Sequence, residues 1–217
     1  MNLLISKHNP WSSRLAKSLE SRNFLWLKEC SKDAIKTHNP KWIFFFHWSD
    51  IVPKDIYGKY RCAVVHTGNL PRGRGGSPLH NQILDGITSS QVNIIEMCEE
   101  LDGGGIYCQA PITLQGSIQD IWFAIADVAE DLILQCINGC VVSSLQEGVA
   151  QTYRRKKKNT LPLTEATTLK CIYDNIRILD SPEYPAAYVD IGNFRLEFDR
   201  AKLENERIIA DVKITKK

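Results

Sequence analysis

The sequence has no apolar run long enough to cross a bilayer; its longest, such as Trp42 to Phe46, fall far short of the roughly 20 residues a spanning helix needs. It also has no C-x-x-C pair. The seven cysteines, at 30, 62, 98, 108, 136, 140 and 171, are odd in number, and no signal-type segment precedes them. A disulfide framework is therefore not expected, and reduced thiols in a cytoplasmic compartment are. Cys136 and Cys140 lie four apart, which would place two ligands on one helix face, but no second pair is spaced to complete a metal site. Neither sign of charge dominates: 27 Lys+Arg oppose 25 Asp+Glu, a net +2, so no broad field directs the chain to nucleic acid or to a membrane surface. Internal repeats and low-complexity tracts are absent. What is present is 43% hydrophobic residues with five Trp, seven Tyr and seven Phe, which excludes a disordered chain, and 217 residues, enough for one core and a small addition.

The patterning begins with the apolar run Met1 to Ser6, then Asn9-Pro10-Trp11-Ser12, a turn that starts a helix reaching about Ser21. Phe24 to Leu27 reads as a strand, and Asp33 to Thr37 as a short helix that Asn39-Pro40 ends. Trp42 to Phe46 is continuously apolar, as in a strand covered on both faces of a parallel sheet. Cys62 to Val65 and Val92 to Ile95 repeat that pattern. Ser77-Pro78 looks like an N-cap and first helical residue, with Gly86 as the stop. Ser117-Ile118-Gln119-Asp120 opens a long helix whose buried stripe is Ile118, Ile121, Ile125, Val128, Leu132 and Cys136. The basic run Arg154 to Lys158 is the best boundary, and beyond it Phe194, Leu196 and Phe198 alternate with Arg195 and Glu197 as in a strand. The expected architecture is α/β: residues 1–153 as a mostly parallel sheet flanked by helices, 154–163 as a basic linker, and 164–217 as a small β-rich appendix.

Chemistry concentrates in two segments. His66 stands just past a strand and is followed by Gly68-Asn69-Leu70-Pro71-Arg72-Gly73-Arg74-Gly75-Gly76-Ser77-Pro78, which puts an imidazole at the mouth of the sheet, where open α/β folds bind ligands. Leu101-Asp102-Gly103-Gly104-Gly105 puts a carboxylate in a glycine-rich turn after the next strand. A loop histidine and a turn aspartate are each ordinary alone. Together, with Met97 in a Met-x-x-x-Leu-Asp arrangement, they resemble the folate-dependent formyltransferases, whose signature is His, then Leu-Pro-x-x-x-Gly, then Leu-Asp-x-Gly. The resemblance extends to Phe46-His47-Trp48-Ser49-Asp50-Ile51-Val52-Pro53 and to Ile176 through Tyr188.

That resemblance implies a Rossmann-like formyltransferase fold and passage of a formyl group from 10-formyltetrahydrofolate to a primary amine, with no metal. His66 and Asp102 would be catalytic, Asp102 orienting His66 and accepting the amine proton, His66 bonding the oxyanion. Trp48, Ser49, Ile51 and Met97 would line the folate pocket, and Arg72 and Arg74 would meet an anionic acceptor. The family's Asn two residues before the histidine is Val64 here. Loss of such a donor costs roughly 3 kcal/mol of transition-state stabilisation. Asn69 is the first candidate to replace it and His80, which otherwise reads as a solvent-facing helix residue, the second. Among acceptors, the short appendix and small net charge argue against tRNA, and the glycine-free Ile5 to Pro10 turn argues against glycinamide ribonucleotide. The expectation is therefore a UDP-linked amino-dideoxy sugar, in the pseudaminic-acid-type group of surface-glycan N-formyltransferases, with no nucleic-acid or membrane partner. Methionyl-tRNA and glycinamide acceptors, and a catalytically impaired folate- or nucleotide-binding module, are the alternatives. The appendix's apolar faces would either bury a homodimer interface or close the core.

Overall fold

A computed structural model describes residues 1–139, 142–155 and 163–217 of the chain. Cys140 and most of the basic run, Lys156 to Lys158 with Thr160-Leu161-Pro162, lie outside the described residues. In chain order the elements are β1 (Asn2–Ser6), α1 (Pro10–Leu19), β2 (Phe24–Leu27), α2 (Lys32–His38), β3 (Ile43–Phe46), α3 (Lys54–Tyr57), β4 (Cys62–Thr67), β5 (Arg72–Gly75) and α4 (Pro78–Leu84). They continue with β6 (Ser89–Glu96), β7 (Ile106–Thr113), α5 (Ile118–Asn138), β8 (Gln151–Tyr153), α6 (Leu169–Arg177), β9 (Ala187–Ile191), β10 (Phe194–Glu204) and β11 (Arg207–Lys216). The architecture is the α/β one expected, a mostly parallel sheet between helices with a second, C-terminal sheet.

The main sheet runs β2-β1-β3-β4-β6-β7, with the first four strands parallel and β6 and β7 antiparallel to their neighbours. The expectation of a parallel-type strand at Val92 to Ile95 is corrected here: β6 lies antiparallel to β4, with His66 opposite Asn93. An apolar run shows burial on both faces, not direction. Strand β7 carries no clear strand signal in the sequence, because Gln109, Pro111 and Thr113 break its apolar pattern; as the edge strand it tolerates Pro111.

The two faces of the sheet are covered differently. On one, Leu4, Phe44, Phe46, Val92 and Ile94 meet Trp11 and Leu15 of α1 and Ile118, Ile121, Ile125, Leu132 and Cys136 of α5. The stripe foreseen on α5 is buried, apart from a half-buried Val128. On the other, Leu3, Ile5, Ile43, Phe45 and Cys62 meet Ile35 of α2 and Ile56 of α3. The caps explain where the two main helices begin. Asn9 Oδ1 accepts from Ser12 N at 2.7 Å, and Ser117 Oγ accepts from Asp120 N at 3.1 Å. Ser77 is corrected: it precedes α4 in a left-handed conformation, φ 51°, and makes no side-chain cap.

Beyond residue 163 the strand-like expectation missed α6. Thr168 caps it, and Leu169, Ile172 and Ile176 give it a narrow stripe among polar neighbours, too sparse to stand out from an alternating pattern. The sheet β11-β10-β9 packs on α6, and Ile176, Ile178, Leu179 and Ala187 join the same cluster as α1 and α5. The anchor is electrostatic. Buried Arg177 donates to Asp174 Oδ1 at 2.7 Å and to the carbonyls of Leu114 and Gly116, both at 2.8 Å, so α6 is tied to the loop after β7. Lys170 also pairs with Asp174, at 2.5 Å, but from a half-exposed position, so removing Arg177 leaves the buried Asp174 Oδ1 and two carbonyls without their donor. Arg177→Leu is expected to lower the free energy of unfolding by about 3 kcal/mol, read from urea denaturation; a change within error would mean that the pair holds nothing.

Candidate active site

The chain passes from β1 to β2 on one side and to β3 on the other, so the carboxyl ends of β1 and β3 flank the point where the strand order reverses, the usual ligand crevice of an open α/β sheet. Lys7 and Asn9 follow β1, His47 to Asp50 follow β3, and His66 lies near the same end of β4. Val64 and His66 are two apart on β4 and so share a face, which leaves an isopropyl group where the family's amide is expected.

His66 and Asp102, 36 residues apart in sequence by their numbers, are brought together: His66 Nδ1 lies 3.5 Å from Asp102 Oδ2, and both side chains are largely buried. His66 Nε2 faces Gly73 O at 2.8 Å. A neutral imidazole has one N–H, and here it is met by Gly73; only the imidazolium donates to both oxygens at once. Asp102 is held in turn. Its Oδ2 accepts from Gly75 N at 2.8 Å, and its backbone is left-handed, φ 52°, an uncommon conformation for a non-glycine residue. The turn closes tightly enough that a Cβ on Gly104 would sit 1.9 Å from Glu96 O, so only glycine fits.

A second layer holds that turn. Gln146 Nε2 donates to Asp102 O at 2.8 Å and Gly104 O at 2.7 Å, and its Oε1 accepts from Arg74 Nε at 2.9 Å. Arg74 Nη1 reaches Glu100 Oε1 at 2.6 Å. The buried Arg74 guanidinium thus ties β5 to the Asp102 turn, while Arg72 is exposed. Strand β5 pairs with β8, an arrangement the sequence showed only as a glycine-rich turn. Behind His66 the buried amide of Asn93 donates to the carbonyls of His66 and Gly68, and Gln82 Nε2 to that of Thr67. Gln146, Asn93 and Gln82 carry no motif, and nothing in the sequence marks them.

The residues expected to line a folate pocket divide. Trp48 and Met97 pack against one apolar cluster, with Phe45, Val52 and Ile56. Ile51 is 96% exposed. Ser49 is exposed; its Oγ accepts from Lys7 Nζ at 2.7 Å and its carbonyl from Arg155 Nη2 at 3.4 Å. A cavity of about 360 Å³ opens near the start of β4, the opposite end from His66, lined by Met97, Tyr57, Tyr60, Tyr107, Arg61 and Glu96 among others. Of the four expected folate contacts, only Met97 lines it. Burial pushes the Tyr107 phenol up to about 12. Asn69 is exposed, its carbonyl accepting from Arg72 N at 3.0 Å. His80 is corrected: it is buried, edge-on to Tyr184 with ring centroids 4.7 Å apart, because the turn around residue 184 covers this side of α4. Among the described residues no three His, Cys, Asp or Glu side chains are grouped to hold a metal, and no helix is long and apolar enough to cross a membrane.

His47 sits between the two halves of the mouth. Asn9 Nδ2 donates to its Nδ1 at 3.0 Å, its Nε2 lies 4.0 Å from Glu183 Oε2, and Trp122 meets it edge-on. Burial, with the nearby charges of Lys7 and His80, lowers its pKa from 6.5 to about 4. Between those values the unfolded chain binds a proton that the folded chain does not, so stability falls as pH drops from 6.5 to about 4 and this contribution is level below that. The loss is about 3 kcal/mol. His47→Gln is expected to flatten the difference in unfolding free energy between pH 6.5 and 4 by about that amount, measured by urea titration at each pH; parallel curves for the two proteins would contradict it.

A family model described as the C-terminal domain of methionyl-tRNA formyltransferase matches residues 158–215. The methionyl-tRNA formyltransferase of Syntrophomonas wolfei is 30% identical over 191 residues, 82% of this chain and 60% of its own. This chain therefore spans about 60% of the length of such curated relatives. The solved methionyl-tRNA formyltransferase from Clostridium thermocellum superposes with a TM-score of 0.92 at 34% identity, covering 100% of both chains. WlaRD, a sugar 3N-formyl transferase solved with dTDP and 5-N-formyl-THF, shares the fold at a TM-score of 0.63 but only 12% identity, over 98% of this chain and 97% of its own. These likenesses overturn the nucleotide-sugar assignment. The two arguments against tRNA fail for identifiable reasons: a protein bearing the tRNA enzyme's name is matched over the whole of its solved chain, so a short appendix does not separate the classes, and a net charge sums charges that cancel and is silent about a local patch. With His66 and Asp102 joined at the mouth of the sheet and a relative 34% identical over the whole of both chains, this chain belongs to the formyltransferase family.

Proposed function

We propose that the chain transfers a formyl group from a 10-formyl folate to the α-amino group of methionyl-tRNA. The observation that carries this reading is the His66–Asp102 pair inside a chain that matches the Clostridium thermocellum enzyme from end to end. A tRNA also suits the exposed cations near the mouth: Lys7 and Arg155 both meet Ser49, and Arg72 stands free of the Arg74 latch. A cytoplasmic location goes with both substrates.

The folate fits the residues present. Trp48 has a buried indole N–H with no hydrogen-bond partner among the described residues and packs in one cluster with Tyr57, Tyr60 and Met97, which also wall the cavity at the far end of β4, surroundings suited to a flat heteroaromatic ring. When bound, the folate supplies an activated formyl carbon on a nitrogen leaving group. The acceptor amine arrives largely protonated and must lose a proton to become a nucleophile. Asp102, oriented by Gly75 N–H and Gln146, takes that proton directly or through water. The amine nitrogen bonds to the formyl carbon as the bond to the folate nitrogen breaks. His66 turns its Nε2–H from Gly73 O to the oxygen on which negative charge grows, and the second proton of the attacking amine passes to the departing folate nitrogen.

Incubation with 10-formyltetrahydrofolate and methionyl-tRNA, followed by mass spectrometry of the released amino acid, is expected to show a formyl-sized gain. Folate binding without any formylated product would overturn the transferase reading and favour a binding module. Val64→Asn restores the family's amide on the His66 face and is expected to raise kcat by on the order of 100-fold; an unchanged kcat would show that another donor, such as Asn69, already meets the charge. Arg72→Ala and Arg155→Ala are expected to raise KM for the tRNA severalfold and leave KM for the folate alone.

A further inference from the structure

The C-terminal sheet presents an apolar face that the protein covers only in part. Side chains at even positions of β11 share a face with Phe194, Leu196 and Phe198 of β10, because Leu196 stands opposite Ile214 and Phe198 opposite Val212. Part of that face is covered: Ala187, Val189 and Phe198 reach the main core. The rest is open, with Ile191 59%, Phe194 52%, Val212 47% and Ile214 64% exposed. The opposite face is charged, carrying the cross-strand pairs Arg195–Asp190, Glu197–Lys213 and Arg200–Asp211. Strand β11 is also an edge: ten residues long, and among the described residues hydrogen-bonded to β10 alone. A long edge with exposed apolar side chains is a surface on which another strand adds.

The charges of β11 say which strand. An antiparallel pair of identical strands related by a two-fold axis must place some residue opposite itself. Centred on Asp211 the pairing sets two carboxylates against each other, and centred on Lys213 it sets two ammonium groups against each other. Centred on Val212, Asp211 faces Lys213 of the second copy and Lys213 faces Asp211, so the strand meets itself with two opposite-charge pairs. The same register sets Val212 against Val212 and Ala210 against Ile214 on the other face, extending one apolar row across both copies. Only its ends, Arg207 opposite Lys217, bring like charges together.

We propose that β11 is the interaction surface for a second copy of this chain, joined antiparallel about a two-fold axis at Val212, so that the two C-terminal sheets form one continuous sheet. Sedimentation velocity on the full chain is expected to give the mass of two chains. Asp211→Lys and Lys213→Asp each create two like-charge contacts in this register, and each variant is expected to sediment as one chain. Mixed together the two variants are complementary, since one carries a cation at both positions and the other a carboxylate at both, and a two-chain species is expected to return. That rescue separates the interface from the internal partners of the same residues, Arg200 and Glu197, which mixing does not restore. Should the charge variants fail to fold, Val212→Cys under mild oxidation is expected to give a covalent pair of chains that the wild type does not form. A single-chain mass for the wild type, a dimer untouched by both reversals, or no rescue on mixing would overturn the proposal.

Discussion

One carboxylate oxygen organises the candidate active site. Asp102 Oδ2 accepts from the backbone of Gly75 and stands beside His66 Nδ1, so three separate segments meet at a single atom: the end of β4, the glycine-rich strand β5 and the turn before β7. The strained backbone of Asp102 and the tight packing of Gly104 are the structural conditions of that meeting, and Gln146 and the Arg74–Glu100 pair hold the turn in place. Without the turn the imidazole would have Gly73 O alone. Strain persists only where the surroundings over-determine it. Here they do so with at least four side-chain hydrogen bonds from residues far apart in sequence.

The main sheet supplies the stage. Its parallel half opens a crevice between β1 and β3, and its antiparallel half, β6 and β7, carries the chain away from and back toward the His66 edge, so that the connecting turn can lean over β4. The C-terminal elements finish the mouth. Arg177 fastens α6 to the end of β7, and the turn that follows brings Glu183 toward His47 and Tyr184 against His80. The region beyond the basic run therefore borders the mouth of the sheet as well as adding a second sheet.

Local signals were legible in the sequence. The helix starts at the Asn9-Pro10 turn and at Ser117 and the stripe along α5 appear where the residues place them, since each depends on neighbours within a few turns. The juxtaposition of His66 and Asp102 was legible for a different reason, a paired motif, and the residues that enforce it were not. Gln146 and Asn93 act through backbone carbonyls that only the fold brings near. Strand direction at β6, the burial of His80 and the narrow helix α6 depend on what lies opposite, which a single sequence does not state. The acceptor is not legible from appendix length and net charge, because these are global sums while recognition is local.

The central claim is that His66 and Asp102 act as one unit, and a double-mutant cycle on formyl transfer to methionyl-tRNA tests it most directly. With kcat/KM measured for wild type, His66→Ala, Asp102→Ala and the double variant, a unit predicts that the double variant falls no further than the worse single variant. If the two losses instead multiply, the residues act independently, and the 3.5 Å approach of His66 to Asp102 has no catalytic meaning.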